Sequence, residues 1–268
     1  MTRTARGKMA GAGQPSLLPL TREEIWLLSV LSVVTGISTF LAYYFGLPYR
    51  GLPIRSDGFA FFSYLPAFFL DHDLTLVTRL SVMPRNVGDG SGIRPYGNPG
   101  RYINIYPIGV AVLQAPFFIV AEWVSRTFGI SRVMRHVEYG IAYQIANVIS
   151  SSTYFVLGTL FVFKSVRRYF DTATSTLAVI ALVFATSGFH YGTLDGGFSH
   201  AYSYFLCAVY VYALLTYAET PSPKWAALIG AALGLIVITR NVNAVLALLA
   251  LSAIDATGRR GWAPFLKD

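Results

Sequence analysis

Apolar runs separated by short polar breaks make up most of this chain. A polar, basic opening, MTRTARGKMAGAGQPSLLPLTREE, precedes an uncharged run over residues 25–45. Further runs cover 139–163, 174–191 and 198–218, and a last one over 225–254 is interrupted by Arg240 and Asn241. The uninterrupted runs are near the ~20 residues that a helix needs to cross a bilayer. The halves of the last run, 225–239 and 242–254, are shorter, and fit either one long broken helix or, as the preferred reading, two helices meeting at a polar cavity. A further run, 103–125, has no charge from Ile103 to Ala121 but contains Pro107, Gln114 and Pro116.

Charge decides how that run is used. The short loop KSVRRYFD holds Lys164, Arg167 and Arg168, and basic residues in short loops stay on the cytoplasmic side. The run at 25–45 is too long for a signal-peptide core and has no small-residue cleavage site behind it, so it anchors the chain with its N-terminus inside. Lys164–Arg168 then returns inside only if 103–125 stays at the outer interface. The predicted fold is an all-α polytopic membrane helix bundle with about six transmembrane helices. Its large first external loop, 46–138, carries juxtamembrane helices near 57–70 and 103–125. Residues 1–24 form a cytoplasmic tail expected to be disordered, 25–254 the transmembrane module, and 255–268 a second cytoplasmic tail or a truncated continuation.

Composition agrees. The chain is 54% hydrophobic and 13% charged, about half the charged share of a soluble domain. Its net charge of +8 therefore reports orientation and contact with anionic headgroups, and no nucleic acid is expected as a partner. The single cysteine, Cys207, excludes an intrachain disulfide and a cysteine metal cluster. P-loop, dinucleotide-binding and HExxH patterns are absent.

On this topology the external side collects Asp57, Asp71, His72, Asp73, Arg94, Arg101, Tyr102, Asn104, Tyr106, Asp195, His200 and Arg240. Ser56 or Asp57 also fits a plain helix cap for the segment starting near Gly58. The triplet Asp71-His72-Asp73 suits an oxygen-loving divalent ion, Mg or Mn, if other ligands converge on it, and otherwise a solvated loop. Asp195 and His200 flank a Gly-Gly turn, where ionisable groups at a membrane edge are expensive to keep. Arg240 interrupts LGLIVITRNVNAVLALL and either snorkels to the headgroups or holds a phosphate, which its planar fork fits well.

The segments SDGFAFFSYLPAFFLDHDLTL, RYINIYPIGVAVLQAPFFIVAEW, ATSGFHYGTLDGGFSHAYSYFL and GLIVITRN, in this order, resemble the bacterial GT-C integral membrane glycosyltransferases. That group includes the protein O-mannosyltransferases and the lipid A aminoarabinose transferase. The resemblance implies that Asp57 is the catalytic base and that Tyr106-Pro107-Ile108-Gly109 opens the second juxtamembrane helix. It further implies that Arg240, with His200 and Arg101, holds the phosphate of a polyprenyl-phosphate sugar donor. Tyr102, Tyr106 and Asp195 are the expected substrate contacts, and Asp71 and Asp73 the candidate metal ligands. Aromatics at 59–69 and 202–217 are the candidate walls for the isoprenoid tail. The expected reaction is inverting transfer to a lipid, glycan or protein acceptor on the external face of a bacterial inner membrane. Family members commonly have more spans than this chain, which raises a partner chain supplying further helices. The alternative is a transporter or an accessory subunit of an envelope polysaccharide machine.

Overall fold

The structure is a computed structural model that describes residues 20–50, 52–82, 92–97, 100–134 and 138–256. It is an all-α membrane helix bundle. Its helices are α1 (Arg22–Arg50), α2 (Asp57–Pro66), α3 (Val77–Val82), α4 (Gly109–Phe128), α5 (Ile141–Val166), α6 (Thr172–Phe184), α7 (Gly188–Thr193), α8 (His200–Glu219), α9 (Pro223–Thr239) and α10 (Ala247–Ala256). Two antiparallel ribbons supply the strands among the described residues: Ile93–Pro95 pairs with Tyr102–Asn104, and Val133–Met134 with Glu138–Tyr139. Among the described residues α1, α5 and α8 are long and apolar enough to cross a membrane, and α6, α9 and Asn241–Leu251 are shorter apolar helices.

Paired polar contacts fix which helix ends lie together. Thr21 and Glu24 form a reciprocal cap at the start of α1, with Thr21 N–H donating to the Glu24 carboxylate and Glu24 N–H to the Thr21 hydroxyl. Lys164, near the end of α5, reaches the same Glu24 at 2.8 Å. Arg168 pairs with Glu219 at the end of α8 (2.7 Å) and lies over the Tyr212 ring. The starts of α5 and α8 gather at the opposite end. There the Ile54 N–H donates to Gln144 Oε1 (2.8 Å) and the Tyr43 hydroxyl to the carbonyl of Leu194 (2.7 Å). The chain therefore leaves α1 and enters α5 at the same end of the bundle.

Helix α4 packs antiparallel to the first half of α5. The Tyr154 hydroxyl donates to the carbonyl of Leu113 (2.9 Å), and the Tyr143 hydroxyl, nearer the start of α5, donates to Glu122. Gln114 Nε2 donates to the Tyr202 hydroxyl in the first turn of α8 at 2.9 Å. These contacts all lie in the half of the bundle away from Glu24, Lys164 and Glu219.

Much of the aromatic runs is core. Phe59 and Phe62 of α2 are buried against Phe118, Tyr139 and Tyr143, with ring centroids 4.7–5.9 Å apart in the Phe62 contacts. Tyr202 and Tyr210 are fully buried with Val110 and Ile236. Aromatic surface of this size is worth most when it is removed from solvent, so these four side chains fill the bundle, while Phe61 of the 59–69 run lines a cavity and Phe68 and Phe69 are exposed.

The polar break at Arg240 is real. Ser222 caps α9 by accepting from the Trp225 N–H, with Pro223 in the first turn, and the helix ends at Thr239. Arg240 is extended (φ −149°, ψ 103°) and a short 3-10 turn, Asn241–Leu246, follows. The chain then doubles back along α8: Arg240 meets His200, Asn243 donates to Ser203, and the carbonyl of Leu246 accepts from Tyr210.

Candidate active site at one end of the bundle

A cavity of about 280 Å³ opens between the start of α2, the segment before α4, the start of α8 and the end of α9. Asp57, Tyr106, His200, Thr239, Arg240 and Asn241 face it, with Phe61 and Phe198 among its apolar walls.

Asp57 is the first residue of α2, where the free N–H groups of a helix favour a carboxylate. The residue before it carries strain: Ser56 has φ 48° and ψ −129° and makes no side-chain cap. Such a conformation in a non-glycine residue costs about 1–3 kcal/mol and tends to sit beside functional groups. The capping expectation for Ser56 is thus replaced by a tight corner that turns the chain into α2.

Tyr106 follows the second strand of the first ribbon and is placed by Asn104, whose Oδ1 accepts from the Tyr106 N–H while its Nδ2 donates to the carbonyl of Ala60 (2.7 Å). Burial, and then the neighbouring Asp57 carboxylate, push its phenol up to about 12, with Arg94 opposing the shift. The phenol therefore stays protonated beside the Asp57 carboxylate throughout the neutral range.

His200 opens α8 with its ring stacked on Tyr191, centroids 3.8 Å apart. Its Nδ1 lies 3.1 Å from Nη1 of Arg240. A guanidinium only donates, so Nδ1 accepts and the ring proton sits on Nε2. Among the described residues no carboxylate pairs with Arg240. A half-buried cation that faces a cavity with only an imidazole for a partner is suited to an anion. Beside it, the buried Thr239 hydroxyl has no hydrogen-bond partner.

The other expected residues are placed elsewhere. Tyr102 packs half-buried against the core around α2, and Arg101 is exposed in the ribbon turn. Asp195 sits behind the cavity, 2.5 Å from Nη2 of Arg55 and 2.7 Å from Nε2 of His190. Asp71 takes two hydrogen bonds from Arg79, at 2.9 and 2.7 Å. Asp73 accepts from Thr75 and from the Thr78 N–H, which hold it at about 2. Among the described residues no group of three or more His, Cys, Asp or Glu could hold a metal ion, so the expected ligands Asp71 and Asp73 are committed to protein partners. Arg55 and Gly197 were not singled out from the sequence, although Arg55 precedes Asp57 by two positions.

Residues 143–264 match the family model described as dolichyl-phosphate-mannose-protein mannosyltransferase. No curated protein and no solved structure matches the chain. The family match supports a GT-C glycosyltransferase-like membrane protein. The matched span runs through α5 to α10, so it contains His200 and Arg240, while Asp57 and Tyr106 reach the same cavity from outside it.

Proposed function

We propose that this cavity transfers a sugar from a polyprenyl phosphate to a hydroxyl acceptor, with inversion at the anomeric carbon. The observation that carries the reading is the convergence of Asp57, Tyr106, His200 and Arg240 from distant parts of the chain on one cavity whose guanidinium has no carboxylate partner among the described residues. In the proposed step the acceptor oxygen bonds to the anomeric carbon while the bond from that carbon to the phosphate oxygen breaks. Asp57 accepts the acceptor's proton, and Tyr106 orients the carboxylate. Arg240 takes the charge that develops on the departing polyprenyl phosphate, with Nε2–H of His200 as a further donor. Fixed donors aimed at a developing charge are the largest single contribution in many enzymes. No step is routed through a metal.

The same reading sets the molecule in the membrane. Glu24, Lys164, Arg168 and Glu219 mark the cytoplasmic end, the cavity faces outside, and α2 and α4 are juxtamembrane elements at the outer level. The donor's tail lies in the surrounding lipid, and a bacterial inner membrane is the proposed location.

Membranes containing the chain, given radiolabelled polyprenyl-phosphate mannose and acceptor, test the assignment. Asp57→Asn is expected to lower transfer by about 100-fold or more, the scale of a lost general base, with expression intact. Transfer at the wild-type rate in that variant would exclude Asp57 as the base.

A further inference from the structure

Asp57 follows two exposed residues, Arg55 and Ser56, the second in a strained conformation. Ile54 before them is buried and its N–H donates to Gln144, and the turn between α7 and α8 holds the exposed part that follows. Asp195 in that turn accepts from Arg55 at 2.5 Å and lies 2.7 Å from His190. Two residues on, Gly197 lies against Gly58. A Cβ on Gly58 would stand 3.0 Å from Cα of Gly197, and one on Gly197 would stand 2.8 Å from the carbonyl oxygen of Pro53. Backbone therefore meets backbone on both sides of the Arg55–Asp195 pair. The turn is itself fixed to α1, since Thr39 and Tyr43 donate to the carbonyls of Thr193 and Leu194.

We infer that the 193–197 turn is a clasp that sets the position of the Asp57 carboxylate, and that Asp195 is a positioning residue acting through Arg55. This reading rests on Asp57 being the base. Asp195 does not line the cavity, and its two oxygens are taken by protein partners, Oδ1 by Arg55 of the 53–58 segment and Oδ2 by His190 of α7. A displacement of the base by about 1 Å can cost on the order of 100-fold in rate, which is why a contact outside the cavity matters to the reaction.

The clasp predicts a kcat effect with little change in KM for the polyprenyl-phosphate mannose donor. Asp195→Ala should lower kcat by about tenfold or more and move KM by less than about twofold. Asp195→Asn, which still accepts from Arg55, should recover much of that loss. The exchange Arg55→Asp with Asp195→Arg should exceed both single changes in kcat. A second readout needs no turnover. With Cys207→Ser in place, Asp57→Cys is modified by a small methanethiosulfonate, and adding Asp195→Ala should change the modification rate at position 57 severalfold, with the charge exchange returning it. If Asp195→Ala raises donor KM and leaves the modification rate at position 57 unchanged, Asp195 contacts substrate and the clasp is overturned. Unchanged kcat together with an unchanged modification rate would overturn it as well. Should Asp57→Asn prove active, the base assignment falls alone, and the modification rates at position 57 still decide whether the turn fixes this segment.

Discussion

Arg240 shows how much one side chain can specify. Its guanidinium ends an apolar helix, and the partner the structure supplies is an acceptor nitrogen with no formal charge to match it. Arg240→Gln should raise donor KM and lower kcat together, by about 100-fold in kcat/KM, while Arg240→Lys keeps the charge but loses the fork and should recover only part. Equal kinetics for Gln and wild type would mean that the phosphate is held elsewhere. Tyr106 makes a different prediction, because its phenol is held at about 12. A group with that value stays protonated through the assay range, so raising the pH to about 10 leaves a phenol O–H facing Asp57. Tyr106→Phe should therefore slow transfer by about tenfold without moving the alkaline side of the pH–rate profile. An alkaline limb that vanishes in the Phe variant would contradict this. Arg240 was legible in the sequence for a physical reason, since an ionisable group set in apolar surroundings is expensive and needs a purpose, whereas Tyr106 came from the resemblance of its Tyr-Pro-x-Gly segment. Arg101 and Tyr102 rested on the family resemblance and Asp195 on the cost of an ionisable group at a membrane edge, and neither signal says which way a side chain points. A strand sends Tyr102 into the core, and Arg55 draws Asp195 behind the cavity.

Elements carry the next level of constraint. The apolar run at 103–125 was readable as a helix, but its start was not. Asn104 and Tyr106 are consumed by the ribbon and the cavity, so α4 begins only at Gly109. Gly109 is where α4 crosses the end of α9, and a Cβ there would collide with the Thr239 hydroxyl and stand 2.5 Å from the carbonyl oxygen of Ile238. Gly109→Ala should push the helices apart beside the cavity and destabilise the protein by about 1–3 kcal/mol, seen as a lower thermal midpoint in detergent. No change in midpoint would show that the crossing has slack. At the other end of α4, Glu122 accepts from Arg132, Tyr143 and Arg126. Burial alone would raise its carboxyl, but those hydrogen bonds outweigh it and hold Glu122 at about 2, below the usual 4.5. The folded value is depressed, so the stabilisation is complete above about 4.5 and is lost as pH falls towards 2. Glu122→Gln should lower the thermal midpoint at neutral pH, with the gap to wild type closing across that acid range. A gap independent of pH would assign the loss to shape instead of charge.

At the scale of the molecule, the informative contacts join helix ends. Lys164 on Glu24 and Arg168 on Glu219 bind the start of α1 to the ends of α5 and α8, while Ile54 on Gln144 binds the exit of α1 to the entry of α5 at the opposite end. Between those points the chain makes α2, α3 and α4 and comes back to where it left. The basic loop after α5 carried this information in the sequence, since its charge is cheap on one side of a membrane and not on the other. Hydropathy carried the opposite message for 103–125, because α4 buries one face against other helices and leaves Val112, Ile119, Val120 and Trp123 exposed on another, so its sequence is apolar on both. Single cysteines separate the two. With Cys207→Ser in place, Tyr169→Cys lies in the loop after α5 and Tyr96→Cys in the turn of the first ribbon, and both positions are exposed. A thiol reagent that cannot cross membranes should modify position 96 in intact cells and position 169 only after the cells are opened. Modification of both from outside would make α4 a crossing helix, separate Asp57 from His200 and Arg240 across the bilayer, and remove the basis for a single transfer site.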